Sequence, residues 1–181
     1  MESTQAILLR RTKLTETSLI VTWLTEDYGK LKTVAKGARE TKSRFMGRLD
    51  LFFECHIQFV RSKRGDLHTL REVQLTEPGA QLRTDYLRIA LASYFVELIE
   101  LVTEAEHPVP ELFDLIRRAL GYLNRQAAAI RPLEHFESEL TRLLGIQHPS
   151  VTAAAAIGRA YHHLPKDRAA LVRDLEGAAG A

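Results

Sequence analysis

Cysteine is almost missing from this chain: Cys55 stands alone among 181 residues. One sulfur excludes an internal disulfide framework and a thiolate-built zinc site, since both need several sulfurs converging on one point. A reducing compartment is therefore expected. Long apolar runs are missing too. Residues 1–10 hold only a short apolar stretch at 6–9, and the most apolar later segment, 91–102, is interrupted by Glu97 and Glu100. Neither a signal peptide nor a membrane span is expected. The sequence also lacks a Gly-rich phosphate loop ending in lysine, a Gly-x-Ser-x-Gly elbow and a His-Glu-x-x-His pair. Histidines supply no ligand set. His162 and His163 are adjacent, so their side chains diverge by about 100° on a helix, and His56 and His68 fall on different strands with no acidic cluster beside them in sequence. Cys55 sits on the apolar face of a strand and reads as core before nucleophile. Catalysis has no support in these residues, and no cofactor or metal is expected.

What is present reads as an ordinary globular protein. With 45% hydrophobic and 27% charged residues, the chain can bury a core, and its length fits one large domain or two small ones. The net charge of +2 hides an asymmetry. Residues 1–77 carry 14 Lys and Arg against 10 Asp and Glu, a balance of +4, whereas residues 78–181 carry 11 against 13, a balance of −2. Between Tyr28 and Arg48, seven basic residues face Glu40 alone. Such density points to a polyanion partner.

The pattern changes at the same boundary. Before Glu77, short apolar runs rich in Val, Ile, Thr and aromatics alternate with turn residues, predicting five strands near residues 4–11, 18–25, 30–36, 51–61 and 67–75. Glu26-Asp27-Tyr28-Gly29 and Lys63-Arg64-Gly65-Asp66 read as hairpin turns. In the fourth strand Phe53, Cys55, Ile57 and Phe59 share one face and Glu54, His56 and Gln58 the other. Five short strands must hide their edges, and a small OB-type barrel is the expected solution. After Pro78 the period becomes helical. Leu87, Leu91, Tyr94, Leu98 and Leu101 mark a central helix, apolar nearly all round; Pro110 and Pro132 open two more, with Gly145 as a C-terminal cap. Two shorter helices are expected at residues 150–163 and 166–176, with the tail 177–181 frayed. The expected class is α+β: an OB-fold domain over residues 1–77, then an α-helical bundle over 78–181.

The basic cluster defines the candidate site. Lys30, Lys32 and Lys36 have even spacings, so a pleated strand sends all three ammonium groups to one side. Arg39, Lys42, Arg44 and Arg48 extend the charge into a loop, and Arg10, Arg11, Lys13, Arg61, Lys63 and Arg64 can widen it. Against phosphates such a row gains from counterion release; left bare, it is a solvated face serving solubility. Seven basic residues against one acid exceed that second need. Tyr28, Phe45, Phe52 and Trp23 are candidate platforms for stacked bases. Trp23, in mid-strand, reads as core, and Phe45, between Arg44 and Met46 in a polar loop, is the favoured platform.

Residues 16–39, containing Tyr28-Gly29-Lys30-Leu31 and Lys36-Gly37-Ala38-Arg39, followed by Lys42-Ser43-Arg44, resemble the N-terminal barrel of the bacterial recombination mediator family RecO. Leu51-Phe52-Phe53-Glu54-Cys55-His56-Ile57 and residues 61–78 are similar to that family's later strands, and Ala92-Ser93-Tyr94 with Glu97-Leu98 to the start of its helical domain. The resemblance covers about residues 1–145. It implies binding to single- and double-stranded DNA, annealing of complementary strands, and assistance to RecA on DNA coated by single-strand-binding protein. Implied partners are RecR and the acidic C-terminal tail of the single-strand-binding protein, for which Arg117, Arg118, Arg125 and Arg131 are candidate anchors. The matching location is the bacterial cytoplasm, at the nucleoid. One departure stands out: many members insert a four-cysteine zinc module after the third helix, whereas this chain passes from Gly145 to an alanine-rich helix without cysteine. Zinc is expected to be absent. An adaptor whose barrel is only a scaffold, without direct DNA binding, is the alternative reading.

Overall fold

In the computed structural model, which describes residues 1–179, the alternating apolar runs form β1 (Glu2–Lys13), β2 (Leu19–Thr25), β3 (Gly29–Ala35), β4 (Glu54–Val60) and β5 (Leu67–Glu77). They close into a barrel in the order β1-β2-β3-β5-β4. Only β3 with β5 is parallel; the other neighbours are antiparallel. This is the OB-type barrel that the strand pattern predicts. Closure depends on β1, which pairs with β4 through Glu2–Ile7 and with β2 through Ala6–Lys13, its register shifting between Leu8 and Arg10. A bulge of that kind bends a strand enough to serve two sides of a small barrel.

Alternation decides what fills the interior. Cys55, Ile57 and Phe59 of β4 join Ala6, Leu8, Val21, Trp23, Leu31 and Leu70 in one buried cluster. Trp23 belongs to it, with its indole N–H donated to Thr33 Oγ1 at 2.9 Å, so its only polar atom is satisfied. Two expectations about the following loop fail. The fourth strand begins at Glu54, not near residue 51, because residues 51–52 form a turn with Phe52 at φ 68°. Phe45 lies inside the barrel cluster at 3% exposure, with Leu49 beside it in that cluster. An apolar ring gains more from burial in that cluster than from solvent, which polar neighbours in sequence conceal.

The described chain forms two units: Met1–Gly79 with Thr103–Phe113, and Ala80–Val102 with Asp114 onward. The return of residues 103–113 to the barrel unit is not legible in the periodicity. Glu106 N–H donates to Lys30 O at 2.8 Å, and Lys30 bridges Ala105 in parallel. Gly29 makes this approach possible. Its φ is +68°, and a Cβ there would stand 2.3 Å from His107 O, so glycine is required both by conformation and by space.

The second unit is helical. A 3-10 turn (Ala80–Thr84) leads to α1 (Tyr86–Val102), followed by α2 (Pro110–Arg125), α3 (Ile130–Leu143), α4 (Ala153–Tyr161) and α5 (Arg168–Ala179). α1 buries Leu91, Ala92, Tyr94, Phe95, Val96, Leu98 and Ile99, the nearly all-round burial that its composition predicts. Asp85 caps it, its carboxylate accepting from Leu87 N at 2.7 Å. After α3, Gly145 N–H bonds to Arg142 O and Ile146 N–H to Thr141 O, with Gly145 at φ +68°. That is a Schellman end. The expected fraying from residue 177 does not hold as far as the structure describes it, because α5 continues to Ala179 with Leu171 and Leu175 buried; residues 180 and 181 lie outside the described residues. Among the described residues no helix is long and apolar enough to cross a membrane.

Candidate nucleic-acid interface

β3 builds the first part of the basic strip. Leu31, Thr33 and Ala35 point into the barrel, so Lys30 and Lys32 share the outer face. Lys36 lies one residue past the strand, in a turn with Gly37 at φ +68°, and is exposed. The parallel register sets Lys32 beside Leu67 and Val34 beside Thr69. The outer face of β3 is thus continuous with that of β5.

Several predicted cations have structural duties. Arg39 donates to Thr15 O and Glu16 O at 3.2 and 3.0 Å, pinning the β1–β2 loop. Arg11 holds Leu49 O at 2.7 Å and Asp50 at 2.9 Å. Arg48 donates to Val73 O at 3.2 Å, which fastens the long loop to β5. Arg61 pairs with Glu106 at 3.0 Å and lies over the Tyr28 ring. Lys13 pairs with Glu16, and Lys32 Nζ stands 3.8 Å from Asp66. The ion pairs are exposed, and pairs of this kind contribute little and yield readily to a phosphate. Lys36, Lys42, Lys63 and Arg64 are exposed and have no carboxylate partner among the described residues. Arg10 is exposed on β1.

The aromatic platforms do not survive. Phe45, Phe52 and Trp23 are 3%, 6% and 0% exposed. Tyr28 is half-buried, its ring edge-on to Phe59 at 5.5 Å and its hydroxyl donating to Glu2 at 2.9 Å. That bond holds the Tyr28 hydroxyl above its usual pKa, because Glu2 favours the neutral phenol. Phe45 keeps an indirect role: Arg44 lies over its ring, 4.8 Å from the centroid.

Two concavities accompany the strip. On the barrel, a groove of about 560 Å³ is lined by Arg44, Arg48 and Arg71 together with His56, Gln58 and Gln74. Arg71 carries no signal in the sequence pattern, because only a register shift shows where it points. The outward positions of His56 and Gln58 follow from the β4 alternation. In the helical unit, a pocket of about 470 Å³ has Phe95, Tyr122 and Phe136 as apolar wall and Arg118, Arg125 and Arg131 around it. Three of the four candidate tail anchors therefore meet at one pocket; Arg117 does not line it. Asp114 pairs with Arg117 at 2.8 Å and Arg118 at 2.7 Å, and these guanidinium groups hold its carboxyl below the usual range.

Elsewhere, His68 is buried at 3% exposure, accepts from Ser62 N at 3.2 Å and has Nε2 3.3 Å from Glu106. Sequence spacing concealed that carboxylate, which arrives with the returning segment. Burial pushes the Cys55 thiol up to about 12, which suits a core residue and not a nucleophile.

Comparison with known proteins adds to this geometry. Residues 1–78 match the family model described as Recombination protein O N terminal, and residues 83–164 the one described as Recombination protein O C terminal. Among curated proteins, the chain is 34% identical over 154 residues to the DNA repair protein RecO of Rhodopirellula baltica, covering 85% of the chain and 57% of that relative. It is 32% identical over 175 residues to that of Pelobacter propionicus, covering 96% and 68%, and 35% identical over 144 residues to that of Salinibacter ruber, covering 79% and 55%. The chain thus spans between about half and two thirds of the length of these relatives.

Proposed function

This chain belongs to the Recombination protein O family, whose relatives are named DNA repair proteins, and from that premise we propose that it is a non-catalytic DNA-binding protein that anneals complementary strands and assists RecA loading on DNA coated by single-strand-binding protein. What supports this reading is the set of cations that the barrel unit carries: Lys30 and Lys32 on the outer face of β3, Lys36 and Lys42 in the loop, and Arg44, Arg48 and Arg71 around the groove. Cations laid along neighbouring strands neutralise phosphates without reading sequence. Two strands bound together lose much of their mutual repulsion, and complementary bases can then meet. No acid–base or metal chemistry is needed for that step.

Division of labour follows the two expected domains. Residues 1–77 would hold DNA, and residues 78–181 would dock partners, RecR among them. The pocket with Arg118, Arg125 and Arg131 around Phe95, Tyr122 and Phe136 suits an acidic peptide ending in an apolar residue and a carboxylate, the chemistry of a single-strand-binding protein tail. The protein would work at the bacterial nucleoid, in the cytoplasm. The test is fluorescence annealing of complementary oligonucleotides coated with single-strand-binding protein: faster pairing on adding this chain is expected, and an unchanged rate refutes the proposal.

One observation favours a second reading. Arg11, Lys13, Lys32, Arg39 and Arg61 all meet internal carboxylates, as they would in an adaptor whose barrel is only a scaffold. Such a protein would show no DNA retention in a mobility shift at moderate salt while keeping a stable protein partner.

A further inference from the structure

The groove on the outer face of β4 and β5 has a composition that a simple phosphate track does not need. Opposite pairs in the register are His56 with Gln74 and Gln58 with Glu72, while the next pair is Phe59 with Leu70. Arg71 is the extra residue of that bulge. A bulge re-aims a side chain, and here both Arg71 and Glu72 are exposed and line the groove. The other wall comes from the β3–β4 loop, fastened by the Arg48 bond to Val73 O. Arg44 is oriented by the buried Phe45 ring beneath it.

Three guanidinium groups, two carboxamides and an imidazole therefore surround one concavity. Guanidinium groups suit phosphate. Carboxamides do not, since they carry no charge and offer a donor and an acceptor side by side, which is the complement of a base edge. A planar guanidinium held over an aromatic ring, as Arg44 is over Phe45, can offer its other side as a stacking surface for a base. The volume of about 560 Å³ lies within the range of small-molecule sites, about 300–1,000 Å³. It is the scale of a nucleotide and not of a duplex.

We infer that this groove seats one unstacked nucleotide of single-stranded DNA, its phosphate on Arg48 and Arg71, its base layered on Arg44 and its edge met by Gln58 and Gln74. The inference rests on the DNA-binding reading and deepens it. Glu72 lines the groove and stands opposite Gln58 in the register; a carboxylate beside the base edge accepts from an exocyclic amino group, so cytosine is favoured over thymine. The seat also gives annealing a structural step: an unstacked base is withheld from pairing within its own strand and is released to a complementary one.

The test is fluorescence anisotropy with the full chain and two oligonucleotides of about 16 residues, one of deoxycytidine and one abasic throughout with the same phosphates. Removing the bases should weaken binding by about tenfold, as expected for loss of one stacked and hydrogen-bonded base. In Arg44→Ala, which removes the stacking face, and in the triple variant that adds Gln58→Ala and Gln74→Ala, that ratio should fall towards one, with circular dichroism confirming the fold. Equal binding of both oligonucleotides by the unmodified chain overturns the inference and leaves a phosphate track. A ratio that persists in both variants places the base elsewhere and also overturns it. If neither oligonucleotide binds, the DNA-binding reading itself fails.

Discussion

Arg168 reaches Glu137 with two N–H groups, Nε to Oε1 at 2.6 Å and an Nη to Oε2 at 2.9 Å, and so ties α5 to α3 through a carboxylate that is 2% exposed. Tyr94 of α1 donates its hydroxyl to the same Oε1 at 2.5 Å. Three helices thus meet on one buried charge. Burial and the neighbouring carboxylate hold the Tyr94 hydroxyl far above its usual pKa, and Glu137 holds the Arg168 guanidinium above its own.

Removing one partner of a buried pair costs more than the pair contributes, because the other charge is left uncompensated. Arg168→Met should destabilise the protein by about 3 kcal/mol, the low end of that range, since the Arg168 side chain is 26% exposed. Tyr94→Phe should cost less, about 1.5 kcal/mol, one hydrogen bond to a charged acceptor that keeps Arg168. Urea unfolding measures both, and equal losses for the two variants would contradict the assigned roles.

Alkaline pH should weaken the fold through two groups. Cys55 moves from 9.0 to about 12 on folding, and Tyr94 is raised from 10.0. Both are acids whose neutral form the folded state favours. Their contribution is full below pH 9 and is lost as pH rises towards the folded values. The urea midpoint should therefore fall from pH 8 to pH 11, and less so in Cys55→Val, which lacks the thiol. A thiol reagent at pH 8 should leave the native chain unmodified and titrate one thiol in denaturant.

Gly29→Ala combines a disfavoured φ of +68° with a Cβ 2.3 Å from a backbone oxygen of His107. Backbone cannot rotate away as a side chain can, so a loss of at least about 2 kcal/mol is expected. Hydrogen exchange should rise at Glu106, whose N–H bonds to Lys30 O. Unchanged protection there would show that residues 103–113 do not depend on this approach.

How much of this was legible beforehand depends on the range of the interaction. Period-two runs fixed by local sterics gave the strands, and the alternation of β4 placed Cys55, Ile57 and Phe59 inside. The Pro110 and Pro132 starts and the Gly145 end are likewise local, and all three mark real helix termini within two residues. The burial of Phe45 is hidden from the sequence because its neighbours in sequence are polar while its neighbours in space are the barrel core. Arg39 and Arg48 looked like free cations, yet each holds a carbonyl from a segment more than twenty residues away. Arg71 has no sequence signal, since a bulge, invisible to periodicity, decides where it points.

The helical pocket should discriminate among its arginines. Arg125→Glu and Arg131→Glu each replace a lining cation by an anion and should weaken an acidic, carboxylate-terminated peptide by about tenfold or more. Arg117→Glu should do less, because Arg117 does not line the pocket. Isothermal titration of the three variants separates them. Equal losses would reduce the effect to net charge and remove the pocket from the account.

Salt is the sharpest probe of the barrel surface. If about five phosphates are contacted, log affinity should fall against log salt with a slope of about −4. Lys36 and Lys42 are exposed, have no carboxylate partner among the described residues and hold no part of the fold, so charge reversal there tests electrostatics alone. Arg39 is a poor choice for that purpose, since it also secures the β1–β2 loop through Thr15 O and Glu16 O. Each of Lys36→Glu and Lys42→Glu should make the slope shallower by about one and weaken every sequence alike. A slope near zero in the unmodified chain would mean that the strip is solvated surface. Variants that keep the original slope would remove Lys36 and Lys42 from the contact surface and leave the phosphates to the lysines of β3 and the arginines of the groove.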